Sequence, residues 1–444
     1  MIFLVQNETR RHNQRVDKVI IMRTLQWVEL FNLLISILFF AMYGYQMIYL
    51  VLGFVRRKRK DHTQAATQHR FAAVVSARNE AGVIGELIQS LLEQHYPRAL
   101  LDVYVVADNC TDDTAAVARR AGAVVYERHD SERKGKGYAL DDLFRWLGDD
   151  GRDDYDGYFV FDADNLVHPD FVAEMNRVFD TGKYGAITSY RNSKNFGSNW
   201  ISAGYSIWFL REARFLNFPR MLLGTNCHVS GTGFLVSAQV IRDHGGWPYH
   251  LLTEDIEFSV SCALKGYRIG YCDGAIVYDE QPTTFRQSWD QRLRWSKGFY
   301  QVDARYGLSL IRGCFRRGRL GWSCYDMLMT VAPGVLLTLA MVAFNLLVWV
   351  ACVTQPPYVA WRVMRLTRGF LTAAAVNSYV GLFLYGLVTV CTEWKRIQEP
   401  AWKKLVYLVT FPLFMLTYIP ISLAALVRKV EWKPIYHGQR QLAQ

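Results

Sequence analysis

The sequence predicts an α/β domain built on a doubly wound, parallel sheet and flanked by transmembrane helices. Three observations predict it. Short apolar runs alternate with helical stretches between Phe71 and Asn165, the pattern of strand–helix–strand units. Each run ends in a polar, acid-rich loop, which places those loops together at one edge of the sheet. Outside this region, Leu25–Val55, Met327–Val353, Phe370–Cys391 and Leu405–Val427 are each apolar and long enough to cross a bilayer.

Composition agrees. The chain has 444 residues, enough for one large domain and more. It is 51% hydrophobic and 14% aromatic, yet its mean hydropathy is only +0.01, so polar and strongly apolar segments share one chain. The net charge is +11. Its densest basic tract, Arg56–Lys60, directly follows an apolar segment, where it serves as a membrane anchor and topology signal. No tract has the form of a nucleic-acid footprint, so no nucleic-acid partner is expected. The eight cysteines are scattered, with no C-x-x-C pair and no His/Cys cluster at zinc spacing. Reduced thiols are therefore expected.

In order along the chain, residues 1–23 form a basic N-terminal tail with Arg10, Arg11, Arg15, Lys18 and Arg23, and they lack the pattern of a secretory signal. Residues 24–55 read as a transmembrane helix; the positive-inside rule favours a cytoplasmic Arg56–Lys60, and the basic N-terminal tail competes for that side, so the rule alone does not fix the orientation. Residues 56–300 form the cytoplasmic domain. Phe71–Val75 is a strand followed by the polar loop Ser76–Glu80, and Val83–Glu93 has helical spacing before His95-Tyr96-Pro97 stops it. Leu101–Ala107 is a second strand, ending at Asp108. Thr114–Ala121 is a helix closed by Gly122, and Ala123–Tyr126 is a third strand.

Arg133–Leu140 then sets lysines among glycines just before a helix, Tyr138–Leu147. Such a loop can wrap and neutralise phosphates, although its spacing is not that of a Walker A motif. The buried strand Tyr158–Phe161 runs into Asp162-Ala163-Asp164. Two carboxylates one residue apart at a strand end suit Mg²⁺ or Mn²⁺ shared with a substrate's phosphates. The aromatics of Trp200–Leu223 lie at helical spacing and read as packing. Ser230–Phe234 is a small-residue turn where a backbone can approach a ligand closely. Thr253-Glu254-Asp255 opens a helix, where either acid could act as a cap. Gln291-Arg292-Leu293-Arg294-Trp295 lies in an amphipathic stretch, Phe285–Tyr306, that reads as a surface helix.

Residues 301–325 are an interfacial segment, 326–428 hold three membrane segments, and 429–444 form a C-terminal tail. The basic residues of the two connecting loops and of the tail favour conflicting sides, so the topology of this end stays open at the sequence level.

The ordered set of a strand-end acid, a Lys/Gly loop, D-x-D, T-E-D and Q-x-x-R-W, placed between membrane segments, resembles the membrane-embedded family 2 glycosyltransferases, the group of cellulose, chitin, hyaluronan and poly-N-acetylglucosamine synthases. The resemblance runs from about Phe71 to Tyr300 and extends to the flanking helices. It implies a nucleotide-sugar-binding domain of the GT-A type. Within it, Ala77, Arg78, Glu80 and Asp108 form the wall around the base, and Lys136 and Arg294 face the diphosphate. Asp162 and Asp164 are the D-x-D, which binds donor and metal, with Asp164 the direct metal ligand. Asp255 is the catalytic base. Gln291 and Trp295 meet the acceptor, and a looser match assigns Gly231 and Thr232 to it as well.

Single displacement with inversion follows from one candidate base and no evident nucleophile opposite it. The expected function is transfer of a hexose or N-acetylhexosamine from a UDP-sugar to a growing β-linked polysaccharide, processive and with export, at the plasma membrane with a multi-pass topology. Three C-terminal spans make a modest channel, so a partner subunit for export is expected to be needed. The alternative within enzymes is single transfer to a lipid carrier. The alternative of another class is a non-catalytic scaffold or transporter, against which the full set of strand-end acids argues.

Overall fold

The computed structural model describes residues 2–55, 65–332 and 334–430. The basic cluster Arg56–Lys60 and nearly all of the C-terminal tail lie outside them. The chain divides into two compact units, Met1–Gln46 with Pro333–Leu382, and Met47–Ala332 with Phe383–Gln444.

Two helices come first, α1 (Ile2–Tyr43) and α2 (Gln46–Val55). The single span expected over residues 24–55 is thus two helices. They part at Gly44, where a Cβ would approach the Phe40 carbonyl oxygen to 2.5 Å.

The sheet domain follows as β1 (Phe71–Ala77), α3 (Ile84–Leu92), β2 (Leu101–Asp108), α4 (Thr114–Arg120), β3 (Val124–Arg128), α5 (Lys136–Asp149), β4 (Gly157–Asp162), β5 (Leu166–Val167) and α6 (Phe171–Phe179). It continues through β6 (Ala186–Ser193), α7 (Trp200–Glu212), α8 (Phe218–Leu223), β7 (Phe234–Ser237), α9 (Ala238–His244), α10 (Glu254–Lys265) and β8 (Ile269–Asp279). The remaining helices are α11 (Phe285–Cys314), α12 (Arg319–Val331), α13 (Val335–Cys352), α14 (Pro357–Thr392), α15 (Ala401–Leu416) and α16 (Tyr418–Val427).

The eight strands form one sheet in the order β3-β2-β1-β4-β7-β6-β8-β5. The first four are parallel, as the strand–helix alternation predicts. The sheet as a whole is mixed, because β7 runs antiparallel to both β4 and β6, and β5 antiparallel to β8. This correction matters for the site. An antiparallel β7 begins where β4 ends, so the turn before Phe234 is brought to the edge that carries Asp162. The Gly233 N–H donates to the Val160 carbonyl at 2.9 Å.

Alternation along β1 divides the core between the two faces. Ala72 and Val74 pack with α5, α7 and Trp247. Phe71, Ala73 and Val75 pack with α3, α6 and the phenylalanines of β4.

By length and composition, Met22–Tyr43, Pro357–Thr392 and Ala401–Val427 can each cross a membrane, and Arg319–Val331 with Leu336–Cys352 qualifies as one bent span. The expected continuous segment Met327–Val353 is therefore interrupted. Pro333 follows Ala332, whose backbone is extended at φ −62°, ψ 129°, as a residue before proline prefers. In the first unit, Asn32 and Asn345 exchange side-chain hydrogen bonds at 3.3 and 2.8 Å, which satisfies two amides within an apolar bundle.

Candidate active site

The ends of β1 and β2 build one wall. Asn79 and Asn109, just beyond these strands, are the two non-glycine residues with positive φ among those described, at 57° and 52°. Asparagine tolerates that region because its side chain can bond locally. The Asn79 carbonyl oxygen Oδ1 accepts the Thr111 N–H at 2.8 Å, and the Glu80 N–H donates to Thr114 Oγ1 at 2.8 Å. Ala77 and Arg78 thus sit on a loop stitched to its neighbour.

Asp108 is buried at the end of β2. Its Oδ1 lies 2.6 Å from Arg128 Nη1 and also accepts from Asn109 Nδ2 at 2.7 Å. Arg128, itself 2% exposed, meets Asp142 at 2.6 Å through Nε. The sequence pattern ends the third strand at Tyr126 and so does not single out Arg128. The strand continues, and the parallel register sets Arg128 beside Asp108.

Lys136 opens α5 after Gly135, whose φ of 120° only glycine adopts readily. A Cβ at Gly137 would collide with the Tyr249 carbonyl, so the glycine lets this helix start close against the chain leading to α10. The Lys136 ammonium pairs with Asp162 and donates to the Gly231 carbonyl at 2.6 Å. Burial alone would lower its pKa, but Asp162, Glu254 and Asp255 outweigh it and the net shift is upward.

Asp162 and Asp164 stand in a cluster of acids. Burial, then Asp279, Asp162 and Glu80, push the Asp164 carboxyl well above its usual range. Glu80 is raised to about 8 by burial, Asp162, Asp112 and Glu280. Among the described residues, no group of three or more His, Cys, Asp or Glu side chains is arranged as a complete metal site. A pair of carboxylates under this mutual repulsion fits a divalent cation that takes its remaining ligands from a substrate's phosphates and water.

Glu254 and Asp255 lie in the first turn of α10. The N-cap Thr253 makes no side-chain cap bond. Burial and Asp255 raise Glu254 to about 7, against the pull of Lys136 and Arg294. Asp255 is also raised, by burial, while the Ile256 N–H, Lys136 and Arg294 act in the opposite direction. A Cβ placed on Gly231 (φ 79°) would sit 3.7 Å from Asp255 Oδ2, so this turn faces the carboxylate directly. The Thr232 hydroxyl accepts the Asp162 N–H at 2.9 Å and donates to Asn165 Oδ1, which binds the turn to the D-x-D strand.

From α11, Arg294 donates to the Leu252 carbonyl at 3.0 Å, beside Glu254. Trp295 packs edge to face against Tyr205 (5.7 Å between centroids, 90°) and Phe209 (6.2 Å, 73°) of α7. Among the described residues, the buried Gln291 Oε1 has no hydrogen-bond partner. The aromatics of α7 do pack, as expected, and in doing so they fix Trp295.

A second set of residues was not singled out in the sequence. Glu212 Oε1 accepts from Ser230 Oγ and lies 3.3 Å from His228 Nε2. Arg220 Nη1 is 2.5 Å from His228 Nδ1. Because a guanidinium only donates, Nδ1 accepts and Nε2 is left to donate to Glu212. Arg220 also forks onto Asp326 at 2.7 and 2.8 Å. On the other side, Arg191 donates to the Ser230 carbonyl at 2.7 Å and pairs with Asp279. The Ser230–Thr232 turn is therefore held from both flanks. One signal was available: Glu212 is an isolated acid ending an apolar, aromatic helix.

A family model described as "Glycosyltransferase like family 2" matches residues 69–298, just over half of the chain. A β-monoglucosyldiacylglycerol synthase of Synechocystis is 28% identical over 233 residues, 51% of this chain and 47% of that protein. A synthase of the same name from Trichormus variabilis is 25% identical over 374 residues, 81% and 73% of the two chains. The poly-β-1,6-N-acetyl-D-glucosamine synthase of Staphylococcus aureus is 26% identical over 234 residues, 51% and 54%. The chain spans about half the length of the first curated relatives it matches. A mannosyltransferase from Pyrobaculum calidifontis, solved with GDP-Man and Mn²⁺, superposes with a TM-score of 0.54 at 16% identity, covering 90% of this chain and 99% of that one. The two share a fold.

Proposed function

Since the chain belongs to glycosyltransferase family 2, we propose that it moves one hexose or N-acetylhexosamine from a UDP-sugar to a hydroxyl of a lipid acceptor at the membrane, with inversion at the anomeric carbon. The observation that carries this reading is the position of Lys136. Its ammonium joins Asp162 to the Gly231 carbonyl, and the same turn faces Asp255. The side chains proposed to meet the donor phosphate, hold the cation and take the proton thus converge on one turn.

In the proposed step, the bond from the anomeric carbon to the diphosphate breaks and UDP leaves with the electron pair. The acceptor oxygen forms the new bond from the opposite face and loses its proton to Asp255. Lys136 and Arg294 offset the charge that grows on the leaving group. The wall of Ala77, Arg78, Glu80 and Asp108 holds the nucleotide, with Arg128 keeping Asp108 oriented. A divalent cation, Mg²⁺ or Mn²⁺, held by Asp162 and Asp164 would neutralise the diphosphate when bound. Gln291 and Trp295 orient the acceptor, beside Gly231 and Thr232.

Two findings favour the lipid acceptor. The match to a glycolipid synthase extends over 374 residues, beyond the catalytic region. Three described helices are also long and apolar enough to cross a membrane, which supports a multi-pass enzyme of the cell membrane with its catalytic domain on the cytoplasmic side. A second reading, a processive β-polysaccharide synthase that exports its product with a partner subunit, is favoured by the rigid setting of Trp295 in Q-x-x-R-W and by the poly-N-acetylglucosamine synthase relative.

The test is transfer by the purified, detergent-solubilised protein from a panel of UDP-sugars with Mg²⁺ or Mn²⁺. A single small product that partitions into organic solvent supports the lipid reading. A glycosidase-sensitive ladder or smear establishes the synthase instead. Folded protein that releases UDP from no donor overturns both.

A further inference from the structure

We infer that the end of α11 and its turn into α12 form a docking edge for anionic phospholipid headgroups. The edge lies on the catalytic unit, at the end of α11 away from the residues proposed for sugar transfer. Arg312, Arg316, Arg317 and Arg319 are all exposed along this turn, and among the described residues none of them forms an ion pair with a carboxylate. The chain holds no acidic residue between Asp303 and Asp326, so the balancing charge has to come from outside this segment. Among these arginines stand exposed apolar side chains: Leu308 at 62%, Ile311, Phe315 at 85%, and Leu320.

The edge continues onto neighbouring elements. A Cβ on Gly224 would lie 3.0 Å from Arg319 Nη1 and 3.3 Å from Arg268 Nη2, which brings the exposed Leu222 and Leu223 of α8 alongside. A Cβ on Gly266 would lie 3.9 Å from Leu320 Cδ2. Between α10 and α11, a groove of about 350 Å³ is lined by Leu264, Ser309, Arg312, Gly313 and Arg316. Gly313 lets α11 close on α12 at this point, since a Cβ there would meet Cys324 Sγ at 2.6 Å. Arg316 gives one N–H to the Leu264 carbonyl at 2.6 Å, which fixes its guanidinium at the rim.

Charge and apolar surface together select the occupant. A phosphodiester accepts forked hydrogen bonds from arginine, but a soluble phosphate would leave Leu308, Ile311 and Phe315 in water. An anionic lipid supplies the phosphate and, directly beneath it, hydrocarbon for these side chains. The edge also precedes Arg319–Val331, the first part of the bent candidate span, and arginines at such a point mark the cytoplasmic leaflet. Because α11 also carries Gln291, Arg294 and Trp295 near its other end, anchoring this end steadies the helix of the Q-x-x-R-W motif. The inference does not depend on which acceptor the enzyme uses.

The full chain, reconstituted in phosphatidylcholine nanodiscs with or without about a third phosphatidylglycerol, tests this by hydrogen–deuterium exchange of residues 304–320. Exchange is expected to slow about 5-fold or more with phosphatidylglycerol, and to recover in about 0.5 M salt, which screens headgroup attraction. The combined variant Arg312→Gln, Arg316→Gln, Arg317→Gln should lose this protection. Should it fail to fold, Arg317→Glu at a fully solvated position makes the same test. Equal exchange in the two lipids, or protection retained in the variant that folds, overturns the inference. Protection already complete in pure phosphatidylcholine also overturns it, because apolar insertion would then suffice.

Discussion

The Arg128 guanidinium reaches Asp108 and Asp142 at 2.6 Å each, and with them it ties the end of β2 to α5 behind the proposed nucleotide wall. Replacing Arg128 with Met leaves the buried Asp108 carboxylate without its cation, while Asp142 keeps Arg133 at 3.2 Å. The expected loss is about 3–5 kcal/mol of stability, read as a lowered melting temperature in detergent. Arg128→Lys restores the charge without the fork and should recover only part of it. A variant as stable as the wild type would show that the pair is not structural.

Asp255→Asn removes the proposed base while keeping the size of the side chain. The protein should fold and bind UDP-sugar with unchanged affinity, and kcat should fall by about 10²–10⁴-fold. Calorimetric donor binding beside a turnover assay checks both halves. Retained turnover would move the base elsewhere, and Glu254 is the adjacent candidate.

Glu254 gives a pH dependence of defined sign. Its pKa is raised from 4.5 to about 7 by burial and Asp255, so as pH rises through this window the unfolded chain releases the proton before the folded one does. Stability should therefore fall from about pH 4.5 to about pH 7 and then level off. Glu254→Gln should flatten that slope. Activity should move the other way, rising with pH as Asp255 ionises above the usual aspartate range. Parallel melting and rate profiles for wild type and variant separate the two effects.

Glu212 clamps the Ser230 hydroxyl beside the turn whose carbonyl meets Lys136. Glu212→Ala frees that turn, and kcat should drop by about 10-fold or more because small displacements of positioning groups are costly. Glu212→Gln retains an acceptor and should recover most of the rate. If both variants lose melting temperature and rate in proportion, the clamp is only structural.

Chelation offers a test of the acid pair. EDTA should abolish UDP release, and added Mn²⁺ or Mg²⁺ should restore it. In Asp164→Asn the cation concentration for half-activity should rise by about 10-fold or more. Full turnover in EDTA would exclude the assignment of Asp162 and Asp164 as cation ligands.

The parallel half of the sheet is legible in the chain alone, because β1, β2 and β4 are apolar runs closed by polar loops, and periodicity reads such runs directly. The local pattern also singles out the candidate site residues, since Asp108, Lys136, Asp162 and Asp255 each sit at an element boundary with its own local signal, and Trp295 stands inside α11 within Q-x-x-R-W. Partners far apart in the chain become visible only in the fold. The direction of β7 carries no mark in its four residues, yet it brings Gly231 to Lys136. Arg128 gains its role from register with Asp108, and His228 gains its tautomer from Arg220. Glu212, Arg220 and Asp326 look locally like three unrelated charges. Burial in a dry interior makes them find partners within the protein, Arg220 on Asp326 and His228 and Glu212 on His228 and Ser230, and that network exists only once the chain has folded.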